Sequence, residues 1–225
     1  MGNDDSSIDN NHCSQIINYP KSIIQVSRAI CKIQTPYKVG TGFLIKFRKG
    51  EEDFFCLMSN EHIIQKSLIE NKKKIEFSYD NEIENKEILL DINERYIKDF
   101  RDIDIDATVV EILKSDCIDE DYFLLPNINY MYDLTELNNK IIQIPQYPKG
   151  GNFKFSEGKI IGINNKQLIH KGSTLSGSSG SPLFIKDTIE VIGIHKSGNS
   201  IKEENCGDSI GPIYNFIKNG CKYTN

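Results

Sequence analysis

The chain has 225 residues, a net charge of −5, 38% hydrophobic and 26% charged side chains. That is enough chain for one sizeable core or two small ones, and the acidic balance argues against nucleic acid or an anionic membrane as a partner. No apolar run approaches the ~20 residues that a membrane-spanning helix needs.

Residues 1–20 are rich in Asn, Asp and Ser and offer little to bury, so they read as a disordered tail. The tail has no apolar signal core, which points to a cytoplasmic protein. It opens Met1-Gly2-Asn3-Asp4-Asp5-Ser6, a match to the N-myristoylation pattern at Gly2. One acyl chain there implies weak, reversible membrane association, which Asp4 and Asp5 would oppose at an anionic surface. From residue 23 the chain becomes a series of short runs of β-formers: 23–33, 39–47, 54–59, 74–79, 87–92 and 107–113. After Pro126 the pattern resumes at 140–144, 153–163, 167–170, 182–185 and 190–195. Such runs, at roughly 8–12-residue spacing, predict an all-β fold, either barrels or a sandwich. Helix signals are few. Residues 60–65 suit one turn, and 212–218 suit a short C-terminal helix, with Pro212 in its first turn and Gly220 after its end. The basic run Lys72 to Lys74 reads as a solvated strand edge.

The six cysteines, at positions 13, 31, 56, 117, 206 and 221, show no CxxC and no metal-ligand spacing. Free, mostly buried thiols in a reducing compartment are the plainest reading; an even count leaves disulfides open.

One stretch carries chemistry. Gly177-Ser178-Ser179-Gly180-Ser181-Pro182 places Ser179 on a tight turn, with glycines two before and one after it. Ser173, Ser176, Ser178 and Ser181 lack that framing. A serine hydroxyl needs a base, the base needs an orienting group, and a tetrahedral oxyanion needs preset donors. His62, after the apolar run 54–59, is the candidate base. Asp106 is the candidate orienting group, because the apolar strand follows it directly; Asp104 would drive a carboxylate into that strand. The order His, Asp, Ser rules out an α/β-hydrolase esterase, which needs Gly-x-Ser-x-Gly and the order Ser, Asp, His.

Three segments together resemble the trypsin-like (chymotrypsin-fold) serine peptidases, nearest in look to the glutamyl endopeptidase and HtrA-type branch. They are Gly40-Thr41-Gly42-Phe43-Leu44-Ile45 with Cys56 to His62, then Asp106 to Ile112, then Gly177 to Leu183 with Val191 to His195. The resemblance spans about 23 to 198. It implies two six-stranded antiparallel β-barrels and a short C-terminal helix, divided as 21–118 and 119–225. The triad would be His62, Asp106 and Ser179, with the N–H groups of Gly177 and Ser179 as oxyanion hole. The implied activity is endopeptidase cleavage of a polypeptide substrate through an acyl-enzyme, with no cofactor and no metal. A catalytically silent peptide-binding module on the same fold is the alternative.

The resemblance also bears on specificity. In glutamyl endopeptidases, a threonine and a histidine matching Thr174 and His195 bind the acidic P1 side chain. In picornaviral chymotrypsin-fold cysteine proteases, a similar pair binds P1 glutamine. Both side chains can donate to a side-chain oxygen, and Lys196 would add positive potential, so Glu, Gln or Asp is expected at P1. With an ordinary histidine pKa near ~6.5, His195 would gain a proton as pH falls toward 6 and raise the Glu-over-Gln ratio. The chain departs from the glutamyl endopeptidases in showing no processing site that would free a pocket amine. His12 and His170 are assigned no work.

Overall fold

The structure is a computed structural model that describes residues 26–79, 85–199 and 203–219. The tail 1–20 with Gly2, His12 and Cys13, the helix-stop Gly220 and Cys221 lie outside the described residues. No helix among the described residues is long and apolar enough to cross a membrane.

The strands form two sheets. The first holds β1 (Ile30–Gln34), β2 (Val39–Lys49), β3 (Glu52–Ser59), β4 (Lys74–Ser78), β5 (Lys86–Leu89), β6 (Ile97–Asp99) and β7 (Thr108–Glu111), in the order β5-β4-β1-β2-β3-β7-β6. The second holds β8 (Leu125–Pro126), β9 (Ile141–Gln146), β10 (Lys154–Asn164), β11 (Gln167–Gly172), β12 (Pro182–Ile185), β13 (Glu190–Asn199) and β14 (Glu204–Ser209). Its order is β12-β9-β10-β11-β14-β13-β8, and a β12–β13 pairing closes six of these strands into a barrel. β8 lies outside the ring, parallel to β13. The all-β reading with a C-terminal helix therefore holds. The first unit is a curved seven-stranded sheet whose end strands, β5 and β6, are not paired to each other among the described residues.

Local chemistry accounts for the differences from the sequence reading. Residues 26–29, expected as strand, are helical, and a five-residue helix α1 (Lys66–Glu70) follows the 60–65 turn. That turn forms as expected, with the N–H groups of Ile63 and Ile64 both donating to the Asn60 carbonyl at 3.1 and 3.0 Å. The C-terminal helix α2 spans Gly211–Lys218, with Pro212 in its first turn and Ile213 and Ile217 buried. The lysine run is not at a sheet edge. Lys74 opens β4, which lies between β5 and β1, and Lys72 and Lys74 form ion pairs with Asp91 and Glu87 at 2.8 and 2.7 Å.

The largest hydrophobic cluster belongs to both units. Phe43 and Ile45 of β2 pack in one core with Tyr147, Ile194 of β13 and Ile213 of α2. Burial between the units thus fixes how the first sheet faces the barrel. The open face left beside that core holds the candidate site.

Candidate active site

Strand register brings His62 and Asp106 together. β3 and β7 are antiparallel, with Ser59 opposite Thr108. His62 lies three residues beyond the end of β3 and Asp106 two before the start of β7, so both emerge at the same end of the paired strands. The turn at Asn60 folds His62 back over Asp106. Its Nδ1 lies 2.6 Å from Asp106 Oδ2, and its backbone N–H donates to Asp106 Oδ1 at 3.0 Å. Asn60 Nδ2 donates to the Asp106 carbonyl at 2.7 Å, and the Asp106 N–H donates to Asp208 Oδ2 at 2.8 Å. Burial pushes the Asp106 carboxyl up, but the His62 hydrogen bond and charge, with a smaller pull from Lys196, hold it below its ordinary value. Asp104 sits in a left-handed turn conformation and is exposed, and Asp102 pairs with Lys98 at 2.7 Å.

Ser179 sits on the turn leading into β12. The backbone is left-handed at both flanking glycines, with φ of +90° at Gly177 and +91° at Gly180. A Cβ at Gly180 would lie 2.0 Å from the Thr41 carbonyl oxygen, so only glycine fits. The turn is held from both sides. Thr41 of β2 donates its N–H to the Ser179 carbonyl at 2.9 Å and its hydroxyl to the Gly177 carbonyl at 2.8 Å. The same hydroxyl accepts the Tyr147 N–H at 3.0 Å. On the barrel side, the Gly180 N–H donates to the His195 carbonyl at 2.9 Å. The Ser176 carbonyl accepts the Lys149 N–H at 2.5 Å. Because a trans peptide is planar, with N–H opposite C=O, the Gly177 N–H points to the other side. Among the described residues, neither the Gly177 nor the Ser179 N–H has a partner. The Ser179 hydroxyl donates to the Lys196 carbonyl at 3.3 Å, and no hydrogen bond joins it to His62 among the described residues.

His62, Asp106, Ser179, Thr174, His195 and Lys196 all line one open cleft of about 930 Å³. Its specificity end differs from the sequence reading in three ways. First, His195 Nδ1 lies 3.3 Å from His170 Nε2, with the two rings edge to face at 71°. His170, given no work from sequence, is thus the buried support of His195. Burial holds His195 down at about 3, helped by the neighbouring histidines, and His170 at about 4. The ordinary pKa assumed for His195 is therefore overturned. Second, Thr174 donates its hydroxyl proton to Asn205 Oδ1 at 2.9 Å, while Asn205 Nδ2 donates to the Gly172 carbonyl at 2.6 Å. The threonine is not a free donor. Third, the Lys196 ammonium is drawn to Asp208, 3.7 Å away. Asn205, Asp208 and Thr41 were missed because isolated polar residues in a sequence carry no periodic signal.

The fold and the cleft are those of a chymotrypsin-fold peptidase. The chain belongs to the trypsin-like peptidase family, whose domain model matches residues 40–194, and it is a serine endopeptidase by that membership. No curated protein matches it. Solved structures match its fold at low identity. The inactive form of the Rv3671c protease is 15% identical with a TM-score of 0.61, over 89% of this chain and 93% of that one. That protease comes from M. tuberculosis. A serine endoprotease from Yersinia pestis is 14% identical with a TM-score of 0.64, over 88% of this chain and 65% of that one. A Glu endopeptidase is 16% identical with a TM-score of 0.61, over 86% and 89%.

Proposed function

We propose that this chain hydrolyses peptide bonds through an acyl-enzyme, with Ser179 as nucleophile, His62 as general base and then acid, and Asp106 as the group that orients His62. The Ser179 Oγ–H bond breaks as Oγ attacks the scissile carbonyl carbon, and the proton passes to His62 Nε2. The oxyanion that forms takes the N–H groups of Gly177 and Ser179. His62 returns the proton to the leaving amine, and water, activated the same way, releases the acid. Rotation about the Ser179 Cα–Cβ bond exchanges the Lys196 carbonyl for His62, a change between staggered rotamers. Such bonds are commonly unformed before substrate binds. The observation that carries this reading is the pair of unpartnered N–H groups on a clasped glycine turn, across the cleft from a 2.6 Å His62–Asp106 contact.

At P1 the reading is a side chain ending in an oxygen: Gln, Glu or Asp, with Gln first. His170 Nδ1 is buried without a partner among the described residues. Leaving a lone pair orphaned there costs less than leaving an N–H orphaned. That tautomer puts the His170 proton on Nε2, donated to His195 Nδ1, and leaves His195 with a proton on Nε2. The pocket then offers one donor, His195, and one acceptor, the Thr174 oxygen whose own proton is committed. A carboxamide fills both; a carboxylate leaves lone pair facing lone pair at Thr174. Cytoplasmic location and acylation at Gly2 belong to the same proposal and rest on sequence alone.

The test is labelling by a serine-directed phosphonate. Wild type should be labelled and Ser179→Ala should not. His62→Ala should lower peptide hydrolysis at least ~10³-fold, and the double variant should be little worse, because triad members act as a unit. An unlabelled wild type would favour the peptide-binding module.

A further inference from the structure

Behind the His62–Asp106 pair lies a second carboxylate. Asp208 of β14 is fully buried. Its Oδ2 accepts the Asp106 N–H at 2.8 Å and lies 3.7 Å from Lys196 Nζ, while its Oδ1 has no partner among the described residues. A buried carboxylate with a bare oxygen is costly, and the cost calls for a reason. Burial, with a smaller push from Asp106 and Asp104, raises this carboxyl above its ordinary value, against the pull of the Asp106 N–H and Lys196.

The reason lies in what surrounds it. Both carboxylate oxygens of Asp106 are occupied by His62, one by its ring and one by its backbone N–H. Lys196 lines a small cavity of about 250 Å³ with Arg101, Asp104, Ile105 and Asp106. Arg101 is engaged by Glu61. Lys196 is a point charge on a flexible stem; it pairs with Asp208 and shares the small cavity with Asp104 and Asp106. Asp104 is exposed, so its pull is screened by water. Asp106 is buried and would attract the ammonium strongly. Asp208 is the group that holds Lys196 elsewhere, and it does so while gripping the Asp106 backbone from the other unit of the molecule.

We propose that Asp208 is a positioning residue for Asp106: its carboxylate holds the Asp106 backbone across the interface between sheet and barrel and keeps the Lys196 ammonium from drawing Asp106 away from His62. The proposal rests on the triad reading given above. It predicts a rescue that a merely structural role would not produce. Asp208→Asn keeps an oxygen for the Asp106 N–H but loses the charge that holds Lys196. Its kcat should fall ~10–100-fold with KM within ~threefold, the pattern of a lost transition-state interaction. Adding Lys196→Met removes the competing cation and should restore kcat at least ~fivefold, a coupling that a double-mutant cycle reads directly.

The wild type must first label with the phosphonate; if it does not, the triad reading fails, and with it the role assigned to Asp208. With a labelled wild type, full activity in Asp208→Asn, or no restoration by Lys196→Met, overturns the role of Asp208 alone. Should Asp208→Asn fail to fold, the double variant removes both charges together, a change buried pairs commonly tolerate. It is then compared with Lys196→Met. Without the lysine the charge on Asp208 has nothing to restrain, so the two kcat values should agree within ~threefold. A larger gap overturns the proposal.

Discussion

Burial against His170 sets the charge state of His195, the proposed P1-pocket residue. An exposed imidazole would titrate near ~6.5 and alter its preference between acid and amide over the ordinary working range. Burial beside His170 removes that choice by holding His195 at about 3. The charged form is absent at pH 7.5 and still absent at pH 6. The ratio of P1 Gln to Glu cleavage should therefore stay constant between those values. Competition assays with paired peptides would measure it, and a Glu share that climbs as pH falls would mean that His195 is protonated.

At the scale of elements, β2 does more than build the first sheet. Its Thr41 grips the turn of the proposed nucleophile through the Gly177 and Ser179 carbonyls and receives the Tyr147 N–H. Thr41→Val keeps the shape but removes both hydrogen bonds of the Thr41 hydroxyl, at a cost of about 1 kcal/mol each. Thermal melts should register that loss, and phosphonate labelling should slow, since the turn carrying the proposed oxyanion donors is loosened. Labelling at the wild-type rate would show the clasp to be dispensable. The pairing of β11 with β14 and of β14 with β13 sets a second dependence. It buries His170 and His195 together, and their folded pKa values lie below those of the unfolded chain. The unfolded state then binds more protons, so this stability is complete above about pH 6.5 and drains away as pH falls toward about 4. Each such histidine adds a slope of about 1.4 kcal/mol per pH unit in that window. His170→Gln should lose stability less steeply by about one histidine's share when denaturation is followed from pH 6.5 to 4.5. Equal slopes would show that His170 is solvated.

For the whole molecule, the shared core of Phe43, Ile45, Tyr147, Ile194 and Ile213 joins sheet to barrel. Chain between the units is shared as well. Leu124 exchanges backbone hydrogen bonds with Leu44 and Lys46 of β2 at 2.9 Å, and Asn127 donates to Val191 of β13 at 2.8 Å. Among the described residues the cleft is held by this common packing and not by a disulfide. Cys31, Cys56, Cys117 and Cys206 form no disulfide, and burial drives the Cys31 thiol far above its ordinary value, so it is inert as a nucleophile. Titration of the denatured, unreduced protein should find close to six thiols. Two or fewer would place the protein in an oxidising compartment.

Most strands were legible because β2, β3, β7 and β12 are dense in apolar and β-branched residues. β14 was not. Its sequence, Glu-Asn-Cys-Gly-Asp-Ser, has no period-2 apolar signal, and it is a strand because β11 and β13 flank it on both sides. β8 has only two residues, one of them proline. Residues 26–29 sit beside apolar Ile30 yet coil into a helical turn, a choice that short runs do not announce.

By itself the sequence determined the all-β class, the serine turn and the order of the three candidate triad residues. Glycine spacing and apolar runs are local, so they survive in one dimension. Tertiary structure alone decided that His195 is buried against His170, that the Thr174 proton is committed to Asn205, and that Lys196 answers to Asp208. Each of these depends on which distant polar group lies within about 3–4 Å, and on how much water remains there. Neither quantity exists until sheet and barrel have packed.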